Sequence, residues 1–135
     1  MQRSVWRGAS FVGLAFALIV PLGACAERPK RDRATKACQH LAELGRRDAV
    51  IARVKAEWAK AREGTHAKLD EATLNARVAK VLADGQAQWD KALAAKKGDL
   101  TTCAEGFVSL GTTTQVECIL RADTAKRAKD CRKSH

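Results

Sequence analysis

The chain has 135 residues, with 25 Lys or Arg against 15 Asp or Glu and a formal net charge of +10. This length allows one small domain and excludes two. A basic chain favours anionic partners, but the sequence has no Tyr and only three Trp and three Phe. Because single-strand binders stack bases on aromatic rings, we expect no nucleic-acid partner.

The first 25 residues have the features of an export signal. Arg3 and Arg7 form a basic start, and residues 8–24 carry no charge. The apolar run ends in Leu22-Gly23-Ala24-Cys25, which resembles the lipobox of bacterial lipoproteins. The resemblance implies that the Cys25 thiol receives a diacylglyceryl group, that residues 1–24 are removed, and that Cys25 becomes an acylated, palmitate-bearing first residue.

Two other interpretations of this segment compete with the lipobox. A transmembrane anchor is one, because residues 8–26 are uncharged over about the ~20 residues that a spanning helix needs. Pro21 and Gly23 would break that helix just before the cut. An ordinary secretory signal is the other, and it would leave Cys25 as an odd thiol. The lipobox accounts for both the small residues and the cysteine that follows them.

The remaining cysteines also favour export. Without Cys25 there are four: Cys38, Cys103, Cys118 and Cys131. An even number in a small exported domain predicts two disulfides. A four-thiolate zinc site is the alternative, but the sequence contains no Cys-x-x-Cys pair, and we expect no metal or other cofactor.

After the signal we expect a basic flexible tether over residues 25–33 and a single helical domain over residues 34–135. The charges of the tether either attract it to an anionic membrane surface or only keep it extended. Apolar residues then recur with helical spacing. Gly45 is expected to end or kink a first piece, and Gly64 to stop a second. Residues 65–97 form the longest helical stretch, with a weak point at Gly85, and residues 96–99 are the next expected break.

Helix starts are expected at Asp48 and at two capping boxes, Thr102 with Glu105 and Thr114 with Glu117; the second would begin a helix that continues to Cys131. No segment alternates apolar and polar residues as a strand does. We therefore predict an all-α fold, a small antiparallel bundle of four or five helices with Trp58 and Trp89 in its core. A basic amphipathic helix lying on a membrane is the alternative use of such apolar faces.

The pairing of the four cysteines follows from the predicted last helix. On a continuous helix, Cys118 and Cys131 would be roughly 20 Å apart, too far for a disulfide. Two connectivities remain, and the expected turn at residues 111–113 favours Cys103 with Cys118 and Cys38 with Cys131. The spacing of these late cysteines resembles small, all-helical predicted lipoproteins of bacteria, which carry no activity that could be transferred.

We predict that the protein is not an enzyme. His40, His66 and His135 are scattered, and Ser109 lacks a nucleophile-elbow context. The expected function is that of a lipid-anchored envelope protein, attached at Cys25 to the cell membrane or outer membrane with its body outside the cytoplasm. It would bind or support another envelope component: a protein partner, anionic lipid or an envelope polymer. The alternative is an inhibitor or immunity-type binder of an exported protease or wall hydrolase.

Overall fold

The computed structural model describes residues 26–65 and 67–133. The predicted signal segment and the lipobox cysteine Cys25 lie outside these residues. Within the described part the chain is all-helical, as predicted, and contains two disulfides. It has six helices there rather than four or five: α1 (Arg31–Ala61), α2 (Glu71–Asp84), α3 (Gln86–Ala95), α4 (Lys97–Leu110), α5 (Thr113–Arg121) and α6 (Ala125–Lys133). None of these helices is both long and apolar enough to cross a membrane.

Helix α1 is the element on which most of the others pack. It contacts α2, α4, α5 and α6. With 31 residues it is roughly 46 Å long at ~1.5 Å per residue. The predicted break at Gly45 and cap at Asp48 are wrong, because the helix continues through both positions. A glycine inside a helix costs only about 1 kcal/mol relative to alanine, which the packing of α1 against its neighbours offsets.

The core lies along the first half of α1. Ala37 and Leu44 pack with Val116 and Ile119 of α5 and with α6, and a second cluster joins Ala34 and Cys38 to Ala104 of α4. The second half of α1 contacts α2, where Val54 and Val78 are the buried residues. The molecule therefore has a thicker half near the start of α1 and a thinner half near its end.

Trp58 and Trp89 are not core residues. Both are half-buried and belong to neither core cluster, contrary to the sequence prediction. Their place is taken by small residues such as Ala34, Ala37 and Ala128, each of which is fully buried. Helices that present alanine to one another approach closely, which leaves no room for an indole ring between them.

The helix boundaries in the thinner half follow the sequence closely. The chain leaves α1 through Gly64, which has a positive φ of 82° suited to glycine. Asp70 caps α2 by accepting hydrogen bonds from the backbone N–H and the hydroxyl of Thr73. These bonds favour the carboxylate and lower the pKa of Asp70. Gly85, the expected weak point of one long helical stretch, separates two helices, α2 and α3.

The predicted capping boxes are wrong in position. Thr102 lies inside α4, where its hydroxyl donates to the carbonyl oxygen of Gly98. Helix α5 begins two residues earlier than expected, with Thr112 as its cap and Gln115 completing the capping box. The turn expected at residues 111–113 is present between α4 and α5.

The predicted last helix is two helices. Helix α5 ends at Arg121, Ala122 is extended (φ −69°, ψ 132°), and α6 begins at Ala125 after Thr124 accepts a hydrogen bond from the backbone N–H of Arg127. The two helices therefore turn back on each other and pack together.

The predicted disulfide pairing is wrong for the same reason. The bonds are Cys38 with Cys103 (Cα atoms 6.2 Å apart) and Cys118 with Cys131 (5.7 Å). A Cα separation of 5.7 Å is compatible with a bond that a continuous helix would have excluded. One disulfide joins α1 to α4, and the other joins α5 to α6. The predicted bonds between Cys103 and Cys118 and between Cys38 and Cys131 are absent from the described structure.

Candidate functional site

The first described residues are fixed to the turn between α4 and α5. The backbone N–H and the hydroxyl of Thr113 both donate to the carbonyl oxygen of Glu27, at 2.9 and 3.1 Å. The Arg28 guanidinium donates to the carbonyl oxygen of Gly111 at 3.3 Å, and Pro29 is buried. The predicted flexible tether over residues 25–33 is therefore wrong over most of its length: residues 26–30 are docked, and residues 31–33 belong to α1.

The end of α6 also lies near the turn between α4 and α5, since Arg132 and Gly111 line one groove. Arg132 of α6 accepts a hydrogen bond at its carbonyl oxygen from Gln115, and its guanidinium lies 5.6 Å from the ring centroid of Phe107 in α4. We define the N-terminal pole as residues 26–30, residues 110–113, and Arg132 with Lys133. Three separate stretches of chain make up this surface.

Leu110 is the most unusual residue of the N-terminal pole. It is a large apolar side chain, yet its surface is 86% exposed. Of the large hydrophobic side chains among the described residues, Leu110 is the one that is exposed. An open groove of about 560 Å³ borders it and is lined by Phe107, Gly111 and Arg132 among others. The pole thus presents an apolar point next to an apolar groove.

Four of the residues that define the pole are cations. Arg28, Lys30, Arg132 and Lys133 are exposed, and none of them takes part in the ion pairs found within the described residues. Two other arginines near the start of α1 are paired: Arg31 with Glu105 at 3.6 Å, and Arg33 with Glu117. Glu27, Asp32 and Asp130 are the nearby carboxylates in sequence, so the excess of positive charge at the pole is modest.

The opposite end of α1 carries a second candidate surface. The Trp58 ring lies beneath two guanidinium groups, with Arg62 at 4.6 Å and Arg77 at 4.9 Å from its centroid. The indole Nε1 is buried without a hydrogen-bond partner in the described structure. An open pocket of about 510 Å³ adjoins it, lined by Ile51 and Leu74 among others. We call this surface the distal tip.

Trp89 has a structural role by comparison. Its indole N–H donates to the Glu43 carboxylate, and Arg46 lies 5.1 Å from its ring centroid. Arg46 also donates to the carbonyl oxygen of Leu82 at 2.7 Å. These contacts join α1 to the junction of α2 and α3 and satisfy the polar atom of the indole, unlike the situation at Trp58.

The predicted site cysteines occupy the half of the molecule that contains the pole. Cys38 and Cys131 are buried, Cys103 is half-buried, and Cys118 is exposed beside a groove between α5 and α6. All four form disulfides. In residues 26–65 and 67–133, no three His, Cys, Asp or Glu side chains are grouped to hold a metal ion.

His40 is the residue whose role sequence reasoning missed. Its Nε2 lies 2.7 Å from the carbonyl oxygen of Ala122 and donates to it from the Nε2–H tautomer. The bond satisfies a backbone group at the break between α5 and α6. The residues at position 40 and position 122 are 82 apart in sequence, so only the folded chain reveals the contact.

Comparison with known proteins gives no relative. No family model, curated protein or solved structure matches this chain.

Proposed function

We propose that the protein is a bacterial lipoprotein, anchored through acylated Cys25, whose helical body binds or supports another component of the cell envelope. The observation that carries the proposal is the lipobox Leu22-Gly23-Ala24-Cys25, placed directly before the folded body. Residues 1–24 would act as the lipoprotein signal peptide. The two disulfides support a location outside the cytoplasm, because such bonds persist in oxidising compartments.

The anchor would dominate membrane attachment energetically. Each buried methylene group contributes about 0.8 kcal/mol, and two acyl chains suffice for stable attachment. The cations near the N-terminus contribute on the order of 1 kcal/mol each at an anionic surface, and salt screens them. Attachment through acyl chains should therefore survive a high-salt wash, whereas attachment through charge alone should not.

Replacement of Cys25 tests this proposal. We expect Cys25→Ala to release the protein from membranes washed with high salt, because the mutant cannot receive a diacylglyceryl group. Cell fractionation with detection of a C-terminal tag measures the distribution. Glu63→Gln, a change at an exposed residue in the turn after α1, is the matched control and should stay with the membranes. A Cys25→Ala protein that still pellets after the wash would identify a spanning signal anchor instead.

The distal tip supports a second candidate function, inhibition of an exported protease or wall hydrolase. Burial of the tryptophans would have argued against such a binder, which needs an exposed aromatic or arginine hot spot. Trp58 is only half-buried and lies beside Arg62 and Arg77, so the distal tip offers an aromatic and arginine surface of that kind.

Trp58→Ala tests the second candidate. Hydrolase and protease activities of envelope extract would be titrated with purified protein. As an inhibitor, the wild type should suppress one activity, and Trp58→Ala should lose more than roughly tenfold in potency, as hot-spot truncations do. Lys60→Ala, an exposed neighbour on α1, is the control. No suppression by the wild-type protein would rule out this function.

A further inference from the structure

We propose that the N-terminal pole is a membrane-contact surface that inserts Leu110 into the interface of an anionic phospholipid bilayer and thereby directs the distal tip away from it. The inference rests on the proposed anchor at Cys25. It goes further by fixing how the body stands on the membrane, which an anchor on a flexible tether would leave undefined.

The first argument is the short reach of the chain. Glu27 is held by two hydrogen bonds from Thr113, and Arg28 by one to Gly111. Cys25 is two residues before Glu27, and two extended residues span at most roughly 7 Å. An acyl group on Cys25 would therefore enter the bilayer beside the turn between α4 and α5. The docked segment leaves no long linker by which the body could move away from the surface.

The second argument is the match between the pole and a lipid interface. Leu110 exposes 86% of its surface to water, and its transfer into the boundary between headgroups and acyl chains would remove this apolar area. The neighbouring groove with Phe107 widens the apolar contact. In water, the exposed apolar surface of Leu110 is energetically unfavourable.

The third argument is charge. Arg28 and Lys30 lie on the docked segment, and Arg132 and Lys133 form the last turn of α6. Anionic headgroups attract such cations near the surface, and long basic side chains keep their heads among the phosphates while their stems cover apolar area. The pole therefore combines an exposed apolar residue with basic residues, which is the pattern of interfacial binding.

The geometry of α1 then determines what lies far from the membrane. Trp58 is 27 residues after Arg31, which corresponds to roughly 40 Å along the helix. Trp89 is joined to Glu43, about two fifths of the way along α1. Neither native tryptophan of the mature body should touch lipid. The fluorescence of the wild type therefore serves as the unquenched baseline.

Quenching by brominated lipid tests the inference. Detergent-extracted, acylated protein would be reconstituted into vesicles of dibrominated phosphatidylcholine with phosphatidylglycerol, and flotation would verify attachment. We expect little quenching of the wild type. Leu110→Trp should add an emission component that is blue-shifted and mostly quenched. Glu63→Trp, the matched control at the far turn, should add a component that is not quenched.

The outcomes separate the anchor from the contact surface. Protein that does not float with vesicles contradicts the proposed anchor. Protein that floats, but whose Leu110→Trp emission is no more quenched than that of Glu63→Trp, overturns the contact surface alone. Strong quenching of the wild type would show a body lying along the bilayer and would also overturn the inference. Omission of phosphatidylglycerol should weaken the quenching of Leu110→Trp; equal quenching would contradict the role of the cations.

Discussion

Thr112 and Thr114 show how one tertiary contact selects between two local signals. Each threonine is followed three residues later by a side chain that can complete a capping box, Gln115 and Glu117. In the structure the Glu117 carboxylate instead accepts two hydrogen bonds from Arg33, at 2.8 and 2.7 Å. Because the Glu117 carboxylate is bonded to Arg33 of α1, it does not complete a capping box, and Thr112 with Gln115 caps α5. The sequence contains both candidates but not the position of Arg33.

The two threonines also form a matched pair of variants. Thr112→Ala should lower the free energy of unfolding by about 1 kcal/mol, because the backbone N–H of Gln115 loses its acceptor. Thr114→Ala, at an exposed position in the first turn, should be nearly neutral or slightly stabilising. Urea denaturation followed by circular dichroism measures both. The assignment of the cap would be wrong if Thr114→Ala proved the more destabilising change.

At the scale of elements, the break between α5 and α6 had no clear signal in the apolar pattern. Ile119, Ala122 and Ala125 continue a helical spacing across it, which predicts one helix. The break depends on long-range contacts: Ala122 is buried in the core, and its carbonyl oxygen is bonded to His40. The error in the disulfide pairing follows from this one misplaced boundary.

Glycine predicted a helix break correctly at Gly64 and at Gly85, but not at every position. Gly64, with a positive φ, lies in the turn that follows α1, and Gly85 marks a junction. Gly45 and Gly98 lie within helices, where their cost is small compared with the packing around them. The break expected at residues 96–99 is present at Lys96, between α3 and α4. Helical class, the turn at residues 111–113 and the use of the four cysteines in disulfides were thus predictable from local patterns. The boundaries that depend on tertiary contacts were not.

At the scale of the whole molecule, α1 separates two ends of different character. The end that carries the N-terminal pole contains both disulfides and both core clusters. The distal end has few buried residues and presents Trp58 with its two arginines. The half near the proposed anchor is cross-linked by both disulfides, and the distal tip presents Trp58 with Arg62 and Arg77. This arrangement would suit a membrane-anchored protein that binds a partner through its distal tip.

The pole itself could not be predicted from the sequence. The sequence predicts a flexible tether over residues 25–33 and contains no signal that Leu110 is exposed. Only the hydrogen bonds between Glu27 and Thr113 bring these stretches together. The lipobox, by contrast, is a local motif that requires no fold to be recognised.

Mass spectrometry of the N-terminal peptide tests the central claim most directly. Protein extracted from membranes with detergent and digested with trypsin should yield a peptide that begins at Cys25 and carries the mass of a diacylglyceryl group. Peptides from residues 1–24 should be absent from this material. A chain that retains those residues, or one that begins at Cys25 with an unmodified thiol, would contradict the account.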